Sequence, residues 1–290
     1  MDKKYKNKVI ITAALVGMKT LKSQNEAVPY TIEEMATEAE KAYNAGAAAV
    51  HIHCRTDDGE VTWDPERYKK TFDAIKAKCP DIVINITTGN GSNTWEGKFA
   101  PLERAKPEMC SLNCQSINFC SGDFRKHEVL SEFTYENTFE MMEELGKRTR
   151  ALGIKPELEL FSENGLHNIV FLQNNGLLEE PIHAQYVFGV LGGIPYSVEN
   201  LAHFRNITPK HWTWGVGCVA KIGFSANLTS VANGGHMRVG LEDNIRMPDN
   251  RLAKGSWEQV EWAVQAIKIL GKEVATSDDM RAMLGLRPKE

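Results

Sequence analysis

The chain has 290 residues, 42% of them hydrophobic and 25% charged, and its formal net charge is -4. This composition allows a sizeable buried core and argues against disorder. The charge gives no reason to expect nucleic acid or an acidic membrane surface as a partner. No run approaches the roughly 18 apolar residues of a membrane span, and the apolar run at 9–11 is too short for a signal peptide. We therefore expect a cytoplasmic location.

Short apolar runs recur along the chain and predict buried strands. In order, they lie at 9–14, 47–54, 81–86, 108–112, 116–119, 157–161, 183–189, 212–216 and 237–240. Amphipathic segments between most of them predict helices. The clearest of these lie at 141–152, 166–174, 225–232, 257–270 and 277–284.

Two helices near the N-terminus carry capping signals. Thr31 and Glu34 form a capping box, and Gly46 ends that helix. Asp64 and Pro65 then provide an N-cap followed by proline at the first helical position. Apolar strands that alternate with helices imply a parallel sheet.

About 250 core residues fit a closed (β/α)8 TIM barrel best, which we predict as a single domain over residues 1–290. An open doubly wound sheet is the alternative. It is weakened because no GxGxxG turn follows the first strand.

His51 and His53 stand two apart near the end of a predicted strand. Side chains alternate across a strand, so both imidazoles would face the barrel lumen at the end where barrel active sites form. Two neutral imidazoles close together are a partial divalent-metal site. The alternative interpretation is a pair of ordinary histidines at a strand end.

A third ligand is available in the glycine-rich segment at 234–244, which ends in two acids. Glu242 would complete a set of two histidines and one carboxylate with positions open for substrate, as a catalytic Zn²⁺ requires. Fe²⁺, Co²⁺ and Mn²⁺ suit the same ligands. Alternatively, Glu242 and Asp243 start a helix, and His236 is a competing ligand.

Arg238 lies five residues before Asp243 in the same segment. If Arg238 points inward, it can pair with Asp243 and keep that acid ionised and aimed as a base. A structural salt bridge is the alternative. Glu159 is a carboxylate within an otherwise apolar strand and needs a partner, for which Arg238 is a candidate.

Polar residues after two other strands are candidates for substrate binding. Thr87 and Asn90 belong to a turn whose hydroxyls and backbone N–H groups suit a carboxylate or enolate oxygen, although a plain loop is nearly as well supported. Ser116 and Asn118 would face the same way if residues 116–119 form a strand.

With these motifs in place, the chain resembles the beta-keto acid cleavage enzymes. The matching stretches lie at 11–14, 27–31, 51–59 (HIHxRxDDG), 87–89 (TTG), 155–161 (KPExExF), 234–244 (GGHxRVGxEDN) and 252–254. They cover almost the whole chain in order, and the HxH and GGHxRVGxEDN elements together are specific.

The resemblance implies a zinc-dependent TIM barrel, usually a homotetramer. Its reaction converts a β-keto acid and acetyl-CoA, a coenzyme A thioester, into acetoacetate and a new acyl-CoA by retro-Claisen cleavage. The implied zinc ligands are His51, His53 and Glu242. The implied catalytic pair is Arg238 with Asp243, which Glu159 would help to orient, and the implied substrate-binding residues are Thr87, Ser116 and Asn118.

Lys19 departs from the pattern of the family's founding member, which carries a glutamate there to meet the substrate's amino group. A cation does not select an ammonium, because like charges repel at short range. We therefore expect Lys19 to bind a substrate whose distal end is anionic or polar, such as a keto diacid. The alternative is that Lys19 points to solvent.

The competing functional class is a metal-dependent hydrolase of the amidohydrolase type, which also uses HxH on a barrel. In that class the motif lies on the first strand, whereas here a strand precedes it. His183 and His211 keep this alternative open as further ligands. A third class is a metal-stabilised protein without catalytic activity.

Overall fold

The computed structural model describes residues 3–89, 94–123 and 126–287. In chain order its strands are β1 (Lys8–Val9), β2 (Ile11–Ala14), β3 (Ala49–Ile52), β4 (Cys54–Arg55), β5 (Val61–Thr62), β6 (Val83–Ile86), β7 (Met109–Asn113), β8 (Ile117–Asp123), β9 (Glu128–Tyr135), β10 (Lys155–Leu160), β11 (His183–Phe188), β12 (Thr213–Cys218), β13 (His236–Val239) and β14 (Glu273–Val274).

The helices follow the same order. They are α1 (Ile32–Ala45), α2 (Pro65–Lys78), α3 (Trp95–Ala105), α4 (Phe139–Leu152), α5 (Glu163–Asn174), α6 (Val198–Ile207), α7 (Gly223–Ala232), α8 (Ser256–Ile269) and α9 (Ser277–Leu284), with a 3-10 turn at Lys3–Tyr5. None of the described helices is both long and apolar enough to cross a membrane.

Eight of the strands close into a parallel barrel in the order β2, β3, β6, β7, β10, β11, β12 and β13, with β13 paired to β2. The predicted TIM barrel is therefore confirmed, and the open doubly wound sheet is excluded. The apolar residues of these strands are buried because helices cover the outside of a parallel barrel while the lumen encloses the other face.

The predicted capping signals fix the helices that flank the second barrel strand. Thr31 Oγ1 accepts from the Glu34 backbone N–H at 3.2 Å, and the Glu34 carboxylate accepts from the Thr31 N–H at 3.0 Å. Gly46 ends α1 at a φ of 118°, which a residue with a side chain rarely adopts. Asp64 caps α2 ahead of Pro65.

Residues 116–119 do not form a barrel strand. β8 pairs antiparallel with β9 in a separate two-stranded sheet inserted between β7 and α4. Cys120 N–H donates to Leu191 O at 3.2 Å, which ties this sheet to the loop after β11. We call β8 and β9 the mouth hairpin, since it lies over the C-terminal ends of the barrel strands.

The opposite end of the barrel is closed by α9. Met280, Met283 and Leu284 pack against Ile10 and other residues that begin the barrel strands. β14 pairs with β1 beside this cluster and holds α9 in place. The C-terminal helix therefore seals the end that faces away from the mouth hairpin.

Candidate active site

A cavity of about 350 Å³ lies between the C-terminal ends of the barrel strands and the mouth hairpin. Its inner wall is polar and carries His51, His53, Thr87, Asn113, Glu159, Arg238, Glu242 and Asp243. Its outer wall is mostly apolar and includes Met18, Phe119, Phe133, Phe161, Val187, Val190 and Leu191. The cavity therefore pairs a charged floor with an apolar entrance.

The two histidines face the same way, as the alternation in the strand predicted at 47–54 requires; His51 lies in β3 and His53 directly follows it. Their ring centroids lie 5.3 Å apart. His51 Nε2 is 3.7 Å from Glu242 Oε2, and His53 Nε2 is 3.5 Å from Glu242 Oε1. Burial lowers the pKa of His51 to about 3, so this imidazole is neutral and its Nε2 lone pair is free to bind a cation.

These distances fit a divalent metal. Zinc bonds of about 2.0–2.2 Å in a tetrahedral site place the ligand atoms roughly 3.3–3.6 Å from one another. The ligand atoms of His51, His53 and Glu242 all lie within 4.8 Å of one another. Glu242 Oε2 is buried and has no hydrogen-bond partner among the described residues. The three residues therefore fit Zn²⁺ in donor type and in spacing.

Two glycines allow Glu242 to reach the histidines. A Cβ on Gly17 would lie 2.5 Å from Glu242 Cγ. Gly240 has a φ of 142°, and a Cβ there would lie 2.1 Å from Ala14 O. Residues 241–243 form a turn, and α8 begins only at Ser256. The alternative that Glu242 and Asp243 start a helix is therefore wrong.

His236 does not join the ligand cluster. Its Nδ1 accepts from the Ile10 backbone N–H at 3.2 Å inside the lumen. The ring lies 5.8 Å from that of His183, another buried histidine. The competing ligand considered from the sequence thus lies elsewhere in the barrel.

Arg238 is bonded to three carboxylates. It donates to both oxygens of Asp243 at 2.9 and 3.0 Å, to Glu242 Oε1 at 2.6 Å and to Glu159 Oε1 at 3.1 Å. With all three acids ionised, the cluster carries an excess of two negative charges. Because a buried charge is costly unless it is compensated, a divalent cation beside Glu242 would balance this excess.

The charge excess is visible in the pKa values of the acids. Burial raises the pKa of Asp243, and the charge of Glu242 raises it further, although Arg238 opposes both. Burial also raises the pKa of Glu159, against the attraction of Arg238. Burial would do the same to Glu242, but Arg238 and the two histidines hold its pKa well below the usual range.

The remaining predicted substrate-binding residues divide between the cavity and the surface. Thr87 lines the cavity, and its Oγ1 accepts from the Gly89 N–H at 2.9 Å. Lys19 also lines the cavity and donates to Ser131 Oγ of the mouth hairpin at 3.0 Å. Asn90 lies outside the described residues.

Ser116 and Asn118 are exposed and do not line the cavity, contrary to the prediction. Ser116 Oγ accepts from the Asn137 N–H at 2.8 Å, which is a structural contact. The prediction assumed that residues 116–119 form an inward-facing barrel strand. Residues 117–119 instead belong to the mouth hairpin. Their side chains therefore alternate between the two faces of the hairpin and not between the lumen and the helices.

Asn113 and Tyr135 bring polar groups to the cavity and were not predicted. Asn113 ends β7, and its Nδ2 donates to Tyr135 Oη at 2.6 Å. Tyr135 ends β9 and is buried, with its oxygen beside Gly89. Asn113 could have been found as a polar residue just after an apolar run, whereas no local signal points Tyr135 at the site.

Comparison with known proteins gives the class. The family model for beta-keto acid cleavage enzyme matches residues 8–286. The chain is 38% identical over 280 residues to a 3-keto-5-aminohexanoate cleavage enzyme from Fusobacterium nucleatum, covering 97% of this chain and 98% of that protein. The chain therefore belongs to the beta-keto acid cleavage enzyme family.

The chain is also similar to a second curated protein and, in fold, to a solved structure. A 3-oxoadipate:acetyl-CoA acetyltransferase from Cupriavidus necator is 30% identical, with 97% of this chain and 96% of that protein covered. The solved binary complex of ObcA with oxaloacetate is 20% identical, with a TM-score of 0.72, and the match covers 90% of this chain and 68% of that one. This structural likeness supports the fold.

The prediction that the chain is an enzyme of carbon–carbon cleavage by acyl transfer is confirmed at the level of this family. The hydrolase of the amidohydrolase type and the metal-stabilised protein without activity, both considered from the sequence, are not the class to which the chain belongs.

Proposed function

We propose that the protein condenses a β-keto acid with acetyl-CoA and cleaves the adduct to acetoacetate and a new acyl-CoA, with Zn²⁺ bound by His51, His53 and Glu242. The main support for this proposal is the buried cluster in which Arg238 pairs with three carboxylates beside the imidazoles of His51 and His53. Family membership supports the reaction class, and the donor set supports the metal.

A divalent ion bound there supplies a Lewis acid that polarises the keto carbonyl and acidifies the carbon between the two carbonyls. Asp243, held by two hydrogen bonds from Arg238, takes the proton from that carbon. The raised pKa of Asp243 brings this carboxyl group nearer to the pKa of the carbon acid whose proton it takes. Glu159 accepts a hydrogen bond from Nη1 of the Arg238 guanidinium and holds its orientation.

The remaining steps need no nucleophilic side chain. The carbanion attacks the thioester carbon of acetyl-CoA, forms a carbon–carbon bond and releases the CoA thiolate. The thiolate attacks the original ketone carbon, whose bond to the former methylene carbon then breaks. Asp243 returns its proton to that carbon, which leaves acetoacetate and the new acyl-CoA. The hydroxyl of Thr87 and the amide of Asn113 line the cavity, and we propose that they bind carboxylate oxygens.

Lys19 supports a substrate with an anionic or polar distal end. Its ammonium lies in the outer cavity wall, 5.5 Å from the Phe133 ring centroid. The relative from Cupriavidus necator is named for 3-oxoadipate, a keto diacid. We propose that a keto diacid is preferred here over a substrate with a distal amine.

The test is acetoacetate formation from a panel of β-keto acids, with and without acetyl-CoA, by zinc-loaded protein. Replacing the base, Asp243→Asn, is expected to lower kcat by about 10²–10⁴-fold, the usual share of general base catalysis. Asp249→Asn is the matched control, because Asp249 is exposed and pairs with Arg251 outside the cavity.

Product formation must depend on acetyl-CoA and must disappear when the metal is removed by a chelator. Release of product without any CoA ester would instead identify a hydrolase. Full activity of Asp243→Asn, or of chelator-treated protein, would contradict the proposal.

A further inference from the structure

A series of buried polar side chains crosses the barrel lumen beneath the proposed metal ligands. It runs from His51 through Asn85, Glu157 and His183 to Thr213, one residue from each of five barrel strands. Each is at most 4% exposed. Because a buried polar group is costly without a partner, each donor and acceptor in the series needs one.

The direction of the hydrogen bonds is fixed at Thr213. Its hydroxyl donates to Ile182 O at 3.1 Å, since a carbonyl can only accept. The same oxygen therefore accepts from His183 Nδ1 at 2.9 Å. In a neutral imidazole this leaves a lone pair on His183 Nε2, which faces Glu157 Oε2 at 3.7 Å.

A lone pair and an ionised carboxylate repel, so one proton lies between His183 and Glu157. Burial lowers the pKa of His183 to about 3, while burial and the charge of Glu159 raise the pKa of Glu157 to about 7. Both directions place the proton on Glu157 Oε2. Glu157 Oε1 then acts as an acceptor only, and Asn85 Nδ2 donates to it at 2.9 Å.

This bond fixes which end of the Asn85 amide faces which neighbour. Asn85 pairs with His51 across β3 and β6. Asn85 Oδ1 and His51 Nδ1 are both buried, and neither has a hydrogen-bond partner within 3.5 Å among the residues that the structure describes. The acceptor Asn85 Oδ1 and the donor His51 Nδ1–H thus both lack a partner on two residues that are paired across the strands. His51 Nε2, on the other side of the ring, faces Glu242.

We propose that Asn85, held by Glu157, is a positioning residue that takes the Nδ1 proton of His51 and so presents Nε2 to the metal. This inference rests on the metal site of the proposed function. Outer partners of this kind fix the tautomer and the orientation of a ligand histidine. His183 and Thr213 complete the series by holding the proton of Glu157 in place.

The test measures zinc affinity by chelator competition and the visible spectrum of the Co²⁺-loaded protein. Asn85→Leu is expected to weaken zinc binding about 10–100-fold and to shift the Co²⁺ bands. Glu157→Leu removes the acceptor that holds Asn85 and is expected to weaken binding in the same direction. Glu157→Gln should bind zinc like the parent, because its amide accepts from Asn85 and donates to His183.

Tyr186→Phe is the matched control for loss of a buried hydrogen bond. Its hydroxyl bonds Thr208 Oγ1 at 2.5 Å on the helix-facing side of β11, away from the series. Its zinc affinity should equal that of the parent even if the fold is less stable. An equal loss of affinity in Tyr186→Phe would overturn the inference, because general loosening would then explain the effect.

The two proposals fail differently. If the parent binds zinc and His51→Ala abolishes binding, but Asn85→Leu and Glu157→Leu keep the parent affinity and spectrum, the positioning role is wrong and the metal site stands. If zinc binding by the parent is weak or indifferent to His51→Ala, the proposed metal site itself is wrong.

Discussion

Arg238 is the residue on which the charges of the site converge. Its planar guanidinium donates four hydrogen bonds to three carboxylates, a geometry that a lysine ammonium cannot reproduce. The same contacts hold Asp243 in place, and among the described residues Glu242 Oε2 has no hydrogen-bond partner and could bind a cation. One side chain therefore serves both the proposed base and the proposed metal ligand.

Lys19 carries a prediction about substrate choice. Lys19→Glu should lower kcat/KM for a keto diacid relative to a neutral keto acid of equal length by about tenfold, or about 1.4 kcal/mol, because repulsion replaces attraction. Initial rates over a range of concentrations measure this. Lys268→Glu, an exposed change of the same charge on α8, which contributes no residue to the cavity wall, should leave the ratio unaltered. An unchanged ranking of substrates in Lys19→Glu would contradict the prediction.

Individual residues were predictable where a local rule reaches them. His51 and His53 follow from alternation along one strand, and Glu242 from an acid just beyond another. Ser116 and Asn118 were placed wrongly because residues 117–119 pair with β9 outside the barrel, and Asn113 was missed because β7 extends one residue beyond the predicted strand at 108–112. The bond between Tyr135 and Asn113 joins β9 to β7, and alternation within one strand does not specify it.

The mouth hairpin is the element that distinguishes the cavity from a bare barrel mouth. Phe119 and Phe133 stack at 5.2 Å on its inner face, and Tyr135 contributes a hydroxyl to the polar floor. Burial raises the pKa of Tyr135 well above its usual value. The phenol therefore stays protonated, and because its oxygen already accepts from Asn113, its O–H is available to an anionic ligand.

Tyr135→Phe tests this contribution of the mouth hairpin. Loss of a hydrogen bond to a charged ligand costs about 1.5–3 kcal/mol, so kcat/KM should fall by roughly tenfold to a hundredfold. Steady-state kinetics with the best keto acid give the value. Tyr43→Phe is the control, because Tyr43 lies on α1 away from the cavity. Parent-like kinetics in Tyr135→Phe would show that the hydroxyl does not meet the substrate.

Most elements were predictable and a few were not. The apolar runs and capping signals predict β2, β3 and α1 within a few residues. The helix α3 was not singled out, and it contains Pro101, which weakens a helical pattern. β8 was recognised as a strand, but its partner β9 was not. The pairing of these two strands outside the barrel depends on tertiary contacts, which a local sequence pattern does not specify.

On the scale of the whole molecule, metal binding should be linked to stability. A ligand that binds only the folded chain at about 100 times its Kd adds about 2.7 kcal/mol, which raises Tm by roughly 5–10 °C for a chain of this size. Thermal unfolding with zinc and with chelator measures the difference. His53→Ala should remove it, whereas His203→Ala, an exposed histidine, should keep it. Equal Tm values with zinc and with chelator in the parent would contradict the proposed site.

The barrel itself followed from the sequence because its strands are short, apolar and regularly spaced by helices. The closure between β13 and β2 could not be read locally, since it joins residues more than 220 positions apart. The charge excess of the site is likewise a property of the assembled barrel, because its charged members come from β10, β13 and the loop after β13.

The helix α9 has a consequence for the order of events. Because it seals the N-terminal end, the cavity communicates with solvent through the mouth hairpin side in the part of the chain that the structure describes. A small acid on the charged floor must then enter and leave on that side, which is also the side from which the thioester of the proposed reaction would have to reach it. The keto acid would then bind before the CoA thioester. The acyl-CoA product would leave the cavity first, and acetoacetate would follow it.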